Sequence, residues 1–265
     1  MITNFLITSV ITGEQYFNYV PIFIYSIQKS YPDYTIKIFH TESNIPNNIY
    51  HILKENNWLD KIEFWDASEF PKTPYTNCGL RWFLPEEKLQ QYDYAYIGDI
   101  DMFIIKETPS ILDYHLEHCK EKNMCYSNKV RPTGFAFTGL HFIIVNEYYN
   151  AIRESLKYYE NRFKKEDTSI FNGIFFVNDK YRKRPSDEHL LFRIINDSGL
   201  PIYPNDIWER RIHGFHLGII RDNHKNLKDC FAEMNKLIHD DKKFLDIVKQ
   251  LSPETQKEIN TILSL

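Results

Sequence analysis

Two aspartates, Asp99 and Asp101, interrupt the apolar and aromatic run YAYIGDIDMFII between Tyr94 and Ile105. A run this rich in Tyr, Ile and Phe reads as a buried strand. Carboxylates are seldom buried unless paired or bound to a metal. The pair is therefore expected where the strand leaves its sheet, facing a cleft. At i and i+2 of an extended segment the two side chains point the same way. Together they can hold a hard divalent cation through oxygen and leave positions for water and phosphate oxygens. A bare D-x-D also arises as an acidic turn after a strand, so the rest of the chain must add to the signal.

Four other stretches carry groups of the right chemistry, in this order: the small-residue turn ITSVITG near the N-terminus, TGLHF with His141, the triplet Asp187-Glu188-His189, and His213-Gly-Phe-His216-Leu-Gly. An imidazole can complete a metal site begun by two carboxylates. His213 and His216 are both candidates. His216 is favoured, because His213 precedes a Gly turn and suits a solvent-exposed loop. Lys106, Lys129 and Arg131 are cleft candidates with no role assigned.

The elements that must position these groups follow from periodicity. Phe5 to Ile11 reads as a buried first strand, Thr35 to His40 as a second and Lys61 to Trp65 as a third. Helical spacing follows Pro21, at Ile24 and Ile27, and recurs from Asn47 to Asn57. This alternation predicts an α/β fold with a mostly parallel sheet flanked by helices. Arg81 to Tyr92 reads as a helix interrupted at Pro85 that leads into the strand before Asp99. Further helices are expected over Ile111 to Lys122, Tyr148 to Phe163 and Ser186 to Ile195, the last capped by Ser186. Gly134 to Val145 reads as strand material around a turn at Gly139, Leu200 to Tyr203 as a short strand, and Ile212 to Ile220 as a strand or turn. Residues 223–265 hold seven Lys and seven Asp or Glu. They read as an amphipathic helical pair without basic bias, packed on a catalytic domain of residues 1–222.

Composition excludes several classes. A chain of 265 residues can bury roughly 70–75% of its unfolded surface and needs no staples. Only 9 of its residues are Gly, and neither Gly-rich phosphate-loop pattern occurs. The net charge of −4 provides no electrostatic reason to expect nucleic acid. Cys78, Cys119, Cys125 and Cys230 form no C-x-x-C pair, so a zinc site is not expected, and scattered thiols fit a reducing cytoplasm. The N-terminus lacks the basic region of a signal peptide, and no apolar run is long enough to span a membrane. A cytoplasmic location, with peripheral contact at the inner face of the membrane left open, is the expectation.

Taken in order, these motifs resemble those of glycosyltransferases of the GT-A fold. YIGDIDMFI is similar to their metal-binding D-x-D region. RWFLPEEKLQQYDYAYIGDID resembles the Arg-containing segment and strand that lead into that motif in retaining members. FTGLHFIIVN resembles their donor- and acceptor-facing segment. SDEHLLFRIINDSGLPIYPNDIW is similar to the D-E-S-H-L-N region of family 6, and HGFHLG resembles the late histidine segment of family 8. The resemblance covers roughly residues 5 to 220. The chain reads Asp-Glu-His where family 6 has D-E-S-H, and the lysine-bearing tail of family 8 is absent.

The resemblance implies a Rossmann-type GT-A catalytic domain and manganese or magnesium held by Asp99, Asp101 and one of the late histidines. It implies Arg81, Asp99, Thr8 and His141 as donor-binding residues. It also implies Glu188 as the carboxylate at the reacting sugar carbon, with Asp187 on sugar hydroxyls. The transition state there is oxocarbenium-like, so a nearby carboxylate can stabilise it or attack it. An acidic helix N-terminus, favoured by the macrodipole, explains the location of Asp187 and Glu188 equally well. His189 can contact substrate, and Trp208 can stack on an acceptor sugar or lie in the core. The expected activity is transfer of a hexose from a nucleoside diphosphate, a UDP-sugar, to a glycan or lipid-linked saccharide with retention. The low-Gly, Asn-, Lys-, Ile- and Tyr-rich composition suggests a bacterial or viral source. A nucleotidyltransferase shares D-x-D metals and an α/β fold but calls for a basic Gly-rich loop after the first strand. A non-catalytic nucleotide- or carbohydrate-binding module would not need Asp99, Asp101 and Glu188 together.

Overall fold

The computed structural model describes residues 4–59, 62–67, 70, 79–131, 135–177, 180–203, 214–218 and 227–264. His213 and Trp208 lie outside them. Strand β1 (Phe5–Ile11) leads into helix α1 (Val20–Ser30), β2 (Thr35–His40), α2 (Asn47–Glu55) and β3 (Ile62–Asp66). A 3-10 turn, Leu80–Phe83, and the short helix α3 (Glu86–Leu89) precede β4 (Tyr94–Gly98). Next come β5 (Met102–Phe103), α4 (Ile111–Lys122), β6 (Tyr126–Ser127), β7 (His141–Ile144) and the long helix α5 (Val145–Lys164). A hairpin of β8 (Asn172–Val177) and β9 (Lys180–Pro185) follows, then α6 (Asp187–Asp197) and β10 (Phe215–His216). Three helices end the described chain: α7 (Leu227–Ile238), α8 (Lys242–Val248) and α9 (Pro253–Leu263).

The main sheet has the order β3-β2-β1-β4-β7-β6. The first four strands are parallel, whereas β7 runs antiparallel to β4 and β6 antiparallel to β7. Alternation along β1 separates two apolar layers. Phe5, Ile7 and Ile11 pack with α1, α2 and the C-terminal helices, including Phe231, Met234 and Phe244. Leu6 packs on the opposite layer with Leu80, Trp82 and Phe83 and with residues of α5 and α6. Each fully buried Phe contributes roughly 1.5–3 kcal/mol of transfer free energy. The register of β4 is thus set from both faces, and its C-terminal end is delivered to one edge of the sheet.

Several local expectations are corrected. Asp99 and Asp101 do not lie on one extended segment. They sit in a turn between β4 and β5, closed by the Met102 N–H donating to the Asp99 carbonyl at 3.3 Å. Leu200–Tyr203 forms no strand. The segment predicted as one helix from Arg81 splits into a 3-10 turn and α3, because Pro85 cannot continue a helix. The expected C-terminal pair is three helices, since Asp241 and Ser252 each cap a new one through its side chain.

Candidate functional site

The turn after β4 places Asp99 and Asp101 at the carboxyl edge of the parallel strands, where ligands of open α/β sheets bind. A second, two-stranded ladder brings the third group. β10 pairs antiparallel with β5, setting His216 opposite Met102, and the Leu217 N–H donates to the Asp101 carbonyl at 2.8 Å. Gly214 makes this approach feasible. Its φ is +89°, and a Cβ there would lie 2.1 Å from the Phe103 carbonyl oxygen. His216 Nε2 consequently sits 3.5 Å from Asp99 Oδ2 and 3.4 Å from Asp101 Oδ1.

The ligand atoms of Asp99, Asp101 and His216 all lie within 4.8 Å of one another. Around one octahedral ion, neighbouring donor atoms stand about 3 Å apart and opposite ones about 4 Å. Two carboxylates and one imidazole at this spacing therefore fit a single hard divalent cation, with positions left for other oxygens. Among the described residues no other group of three or more His, Cys, Asp or Glu side chains meets this geometry.

Arg81, from the 3-10 turn, joins the two halves of the site. Its guanidinium donates to Asp99 Oδ1, to Asp187 Oδ2 from Nε at 2.9 Å, and to the Gly139 carbonyl at 3.2 Å. It also lies 4.7 Å from the centre of the Trp82 ring. A Cβ on Gly139 would come within 3.0 Å of Arg81 Nη2, so glycine leaves room for the guanidinium. Burial opposes the charged form of both Arg81 and Asp99. Their mutual attraction wins, with help from Asp187 for the arginine and from His216 for the carboxylate. The Arg81 pKa is raised and that of Asp99 is held well below the usual carboxylate range.

Asp187 and Glu188 open α6. Ser186 caps this helix as the sequence suggests, its hydroxyl accepting the Glu188 N–H at 3.1 Å. The glutamate has its own partner, which the sequence reading left without a role. Arg131 forms a bidentate pair with Glu188, from Nε to Oε2 at 2.7 Å and from Nη2 to Oε1. Burial raises the Glu188 pKa, and Arg131 only partly offsets that shift.

Other residues singled out in the sequence lie elsewhere. Thr8 is fully buried on β1, and its hydroxyl has no hydrogen-bond partner. His141 is fully buried among Trp82, Tyr126 and Tyr148. Burial pushes its imidazole down to about 3, so the ring is neutral near pH 7. Neither residue presents surface to a ligand. His189 packs against Gly173, where an added Cβ would lie 1.7 Å from its ring, and it too is buried.

No family profile matches the chain, and no curated protein does. Among solved structures it is similar to the galactosyltransferase LgtC in complex with donor and acceptor sugar analogues. That match has 13% identity over 71% of this chain and 70% of that one, with a TM-score of 0.42. It is also similar to the apo-form glycosyltransferase GlyE of Streptococcus pneumoniae, at 12% identity over 74% of this chain and 44% of that one, with a TM-score of 0.46. A cytidylyltransferase from Leptospira borgpetersenii matches 99% of this chain and 96% of its own at 13% identity, with a TM-score of 0.43. These likenesses are too distant to carry chemistry, which rests on the side chains described above.

Proposed function

We propose that this chain is a metal-dependent glycosyltransferase of the GT-A type, moving a hexose from a UDP-sugar to a glycan or lipid-linked saccharide with retention. One observation carries the reading. Asp99, Asp101 and His216 converge at the carboxyl edge of the sheet, and Arg81 ties that group to the acidic start of α6. A departing nucleoside diphosphate develops negative charge, and manganese or magnesium held there would neutralise it without proton transfer.

The protein's own groups divide the remaining work. Arg81 fixes the Asp99 carboxylate and Asp187 relative to each other. Because Arg81 engages Asp187 through Oδ2, Oδ1 is the atom left for a sugar hydroxyl. Arg131 orients Glu188 and opposes the rise that burial gives its pKa, so that its carboxylate would face the oxocarbenium-like carbon. Preorganised charge in a poorly solvated cleft acts more strongly on a transition state than the same charge in water. His213 stays a second candidate for the imidazole position. Thr8 and His141 would support the site from the core beneath it.

Residues 1–222 would form the catalytic domain, with residues 223–265 packed on it. Among the described residues no helix is long and apolar enough to cross a membrane. A bacterial cytoplasmic enzyme, in contact with the membrane only peripherally, is the setting we propose.

The rival reading, a nucleotidyltransferase, requires backbone N–H groups and a cation for phosphates after β1. Here the Gly13 N–H donates instead to the Glu42 carboxylate at 3.0 Å. The test is product identity from a panel of nucleotide sugars, and of nucleoside triphosphates with sugar phosphates, each with manganese. Release of UDP from a UDP-hexose supports the proposal. Release of inorganic pyrophosphate from a triphosphate overturns it.

A further inference from the structure

Phe135 is 58% exposed, more than any other large hydrophobic side chain among the described residues. It does not stand alone. Its ring lies 6.2 Å from Phe192 at 73°, and Phe192 lies 5.7 Å from the fully buried Phe137. Phe137 in turn meets Tyr126 edge-on at 5.7 Å. The outer ring is thus carried on a rigid aromatic pedestal rooted in the core.

Its position follows from helix geometry. Glu188 and Phe192 are four residues apart on α6, so they share a face, one turn from each other. Phe137 is tied to this helix. The Arg131 N–H donates to the Ala136 carbonyl at 2.7 Å, and the Phe137 N–H donates to the Glu188 carbonyl at 3.2 Å. Arg131 reaches Glu188, and the Phe135 ring lies against Phe192 one turn along the same helix.

A pyranose has one apolar face of C–H bonds and a rim of hydroxyls. The exposed phenyl ring of Phe135 offers a counterpart to the apolar face. A protein partner would need about 800 Å² on each side, far more than two rings supply. We infer that Phe135, braced edge-to-face by Phe192, forms the platform on which the acceptor saccharide stacks, about one helical turn from Glu188. This inference rests on the reading of Glu188 as the carboxylate at the sugar centre.

The test uses the full chain, fluorescently labelled, on an array of immobilised oligosaccharides in the presence of UDP and manganese. Phe135→Ala removes a surface ring, and Phe135→Tyr keeps it. The parent is expected to bind a set of glycans, Phe135→Ala to bind the same set about tenfold more weakly, and Phe135→Tyr to recover. UDP–manganese binding should be equal in all three. Undiminished glycan binding by Phe135→Ala, or a parent that binds no glycan, would overturn the inference. So would an equal loss of UDP–manganese binding, which would make Phe135 a residue of the fold. Glu188→Gln separates the two levels. If it turns over donor like the parent while Phe135→Ala loses glycans, the proposed chemistry fails and the platform stands. If Glu188→Gln is inactive while Phe135→Ala keeps its glycans, only the platform fails.

Discussion

Replacing Arg81 with alanine should destabilise the fold in a way that depends on pH. The side chains of Arg81 and Asp187 are only 13% and 11% exposed, and that of Asp99 is 26% exposed. Without the guanidinium, Asp99 and Asp187 lose the cation they share, and His216 is the basic group left beside Asp99. Removing one partner of a buried ion pair costs roughly 3–5 kcal/mol. Partial exposure of Asp99 argues for the lower end, about 3 kcal/mol. For a chain of this size that corresponds to a fall in Tm of roughly 6–12 °C. The sign with pH follows from the lowered Asp99 pKa. The folded parent binds fewer protons than the unfolded chain, so this contribution is present above the ordinary carboxylate pKa. It is lost as pH falls through the folded value. In Arg81→Ala the contribution is missing from the start. The gap in Tm between parent and variant should therefore hold from pH 7 to about 4 and narrow as pH is lowered further, towards about 2. Thermal melts of both proteins across that range, without added metal, provide the measurement. A gap under about 2 °C at pH 7, or one that widens on acidification, would refute the proposed role of the Asp99–Arg81–Asp187 bridge.

Three further outcomes are expected. Glu188→Gln should lower kcat more than ~100-fold with little change in donor KM, measured as UDP release; a change of only a few-fold would make Glu188 a helix-start acid. Arg131→Ala removes the cation that offsets burial of Glu188, so the glutamate pKa should rise further and the acid limb of kcat should move to higher pH; an unmoved limb would mean that Arg131 does not govern that charge. Gly214→Ala forces a Cβ onto the Phe103 carbonyl, so it should displace His216 and weaken manganese binding in a titration while the circular dichroism spectrum is retained; parent-like affinity would show that the β5–β10 ladder does not position the imidazole.

The parallel strands β1 to β4 were legible because each is a short apolar run with a single reading. β1 and β2 end where the sequence suggests, and α4 spans Ile111–Lys122 as expected. The carboxylate pair was legible because charge inside an apolar run demands a reason. Its geometry was not. The turn that gathers Asp99 and Asp101 depends on β5 pairing with a strand more than a hundred residues later, and no local spacing encodes that ladder. Glu188 and Arg131 are 57 positions apart, so their pairing was equally hidden. Thr8 and His141 lie in the core for a different reason. Period-two alternation selects between two faces, and on this sheet both faces are buried. The resemblance assigned them to the donor, and the sheet places them in the core. The β8–β9 hairpin escaped notice because NGIFFV and KYRKRP lie outside any clear alternation of α and β signals.

Manganese binding by electron paramagnetic resonance bears most directly on the central claim, that Asp99, Asp101 and His216 together hold a divalent cation. Free manganese would be titrated in the presence of UDP for the parent, Asp101→Ala and His216→Ala. The parent is expected to bind one ion, and each variant to bind it at least ~10-fold more weakly with an unchanged fold. Parent-like affinity in both variants, or a parent that binds no manganese with UDP present, would contradict it.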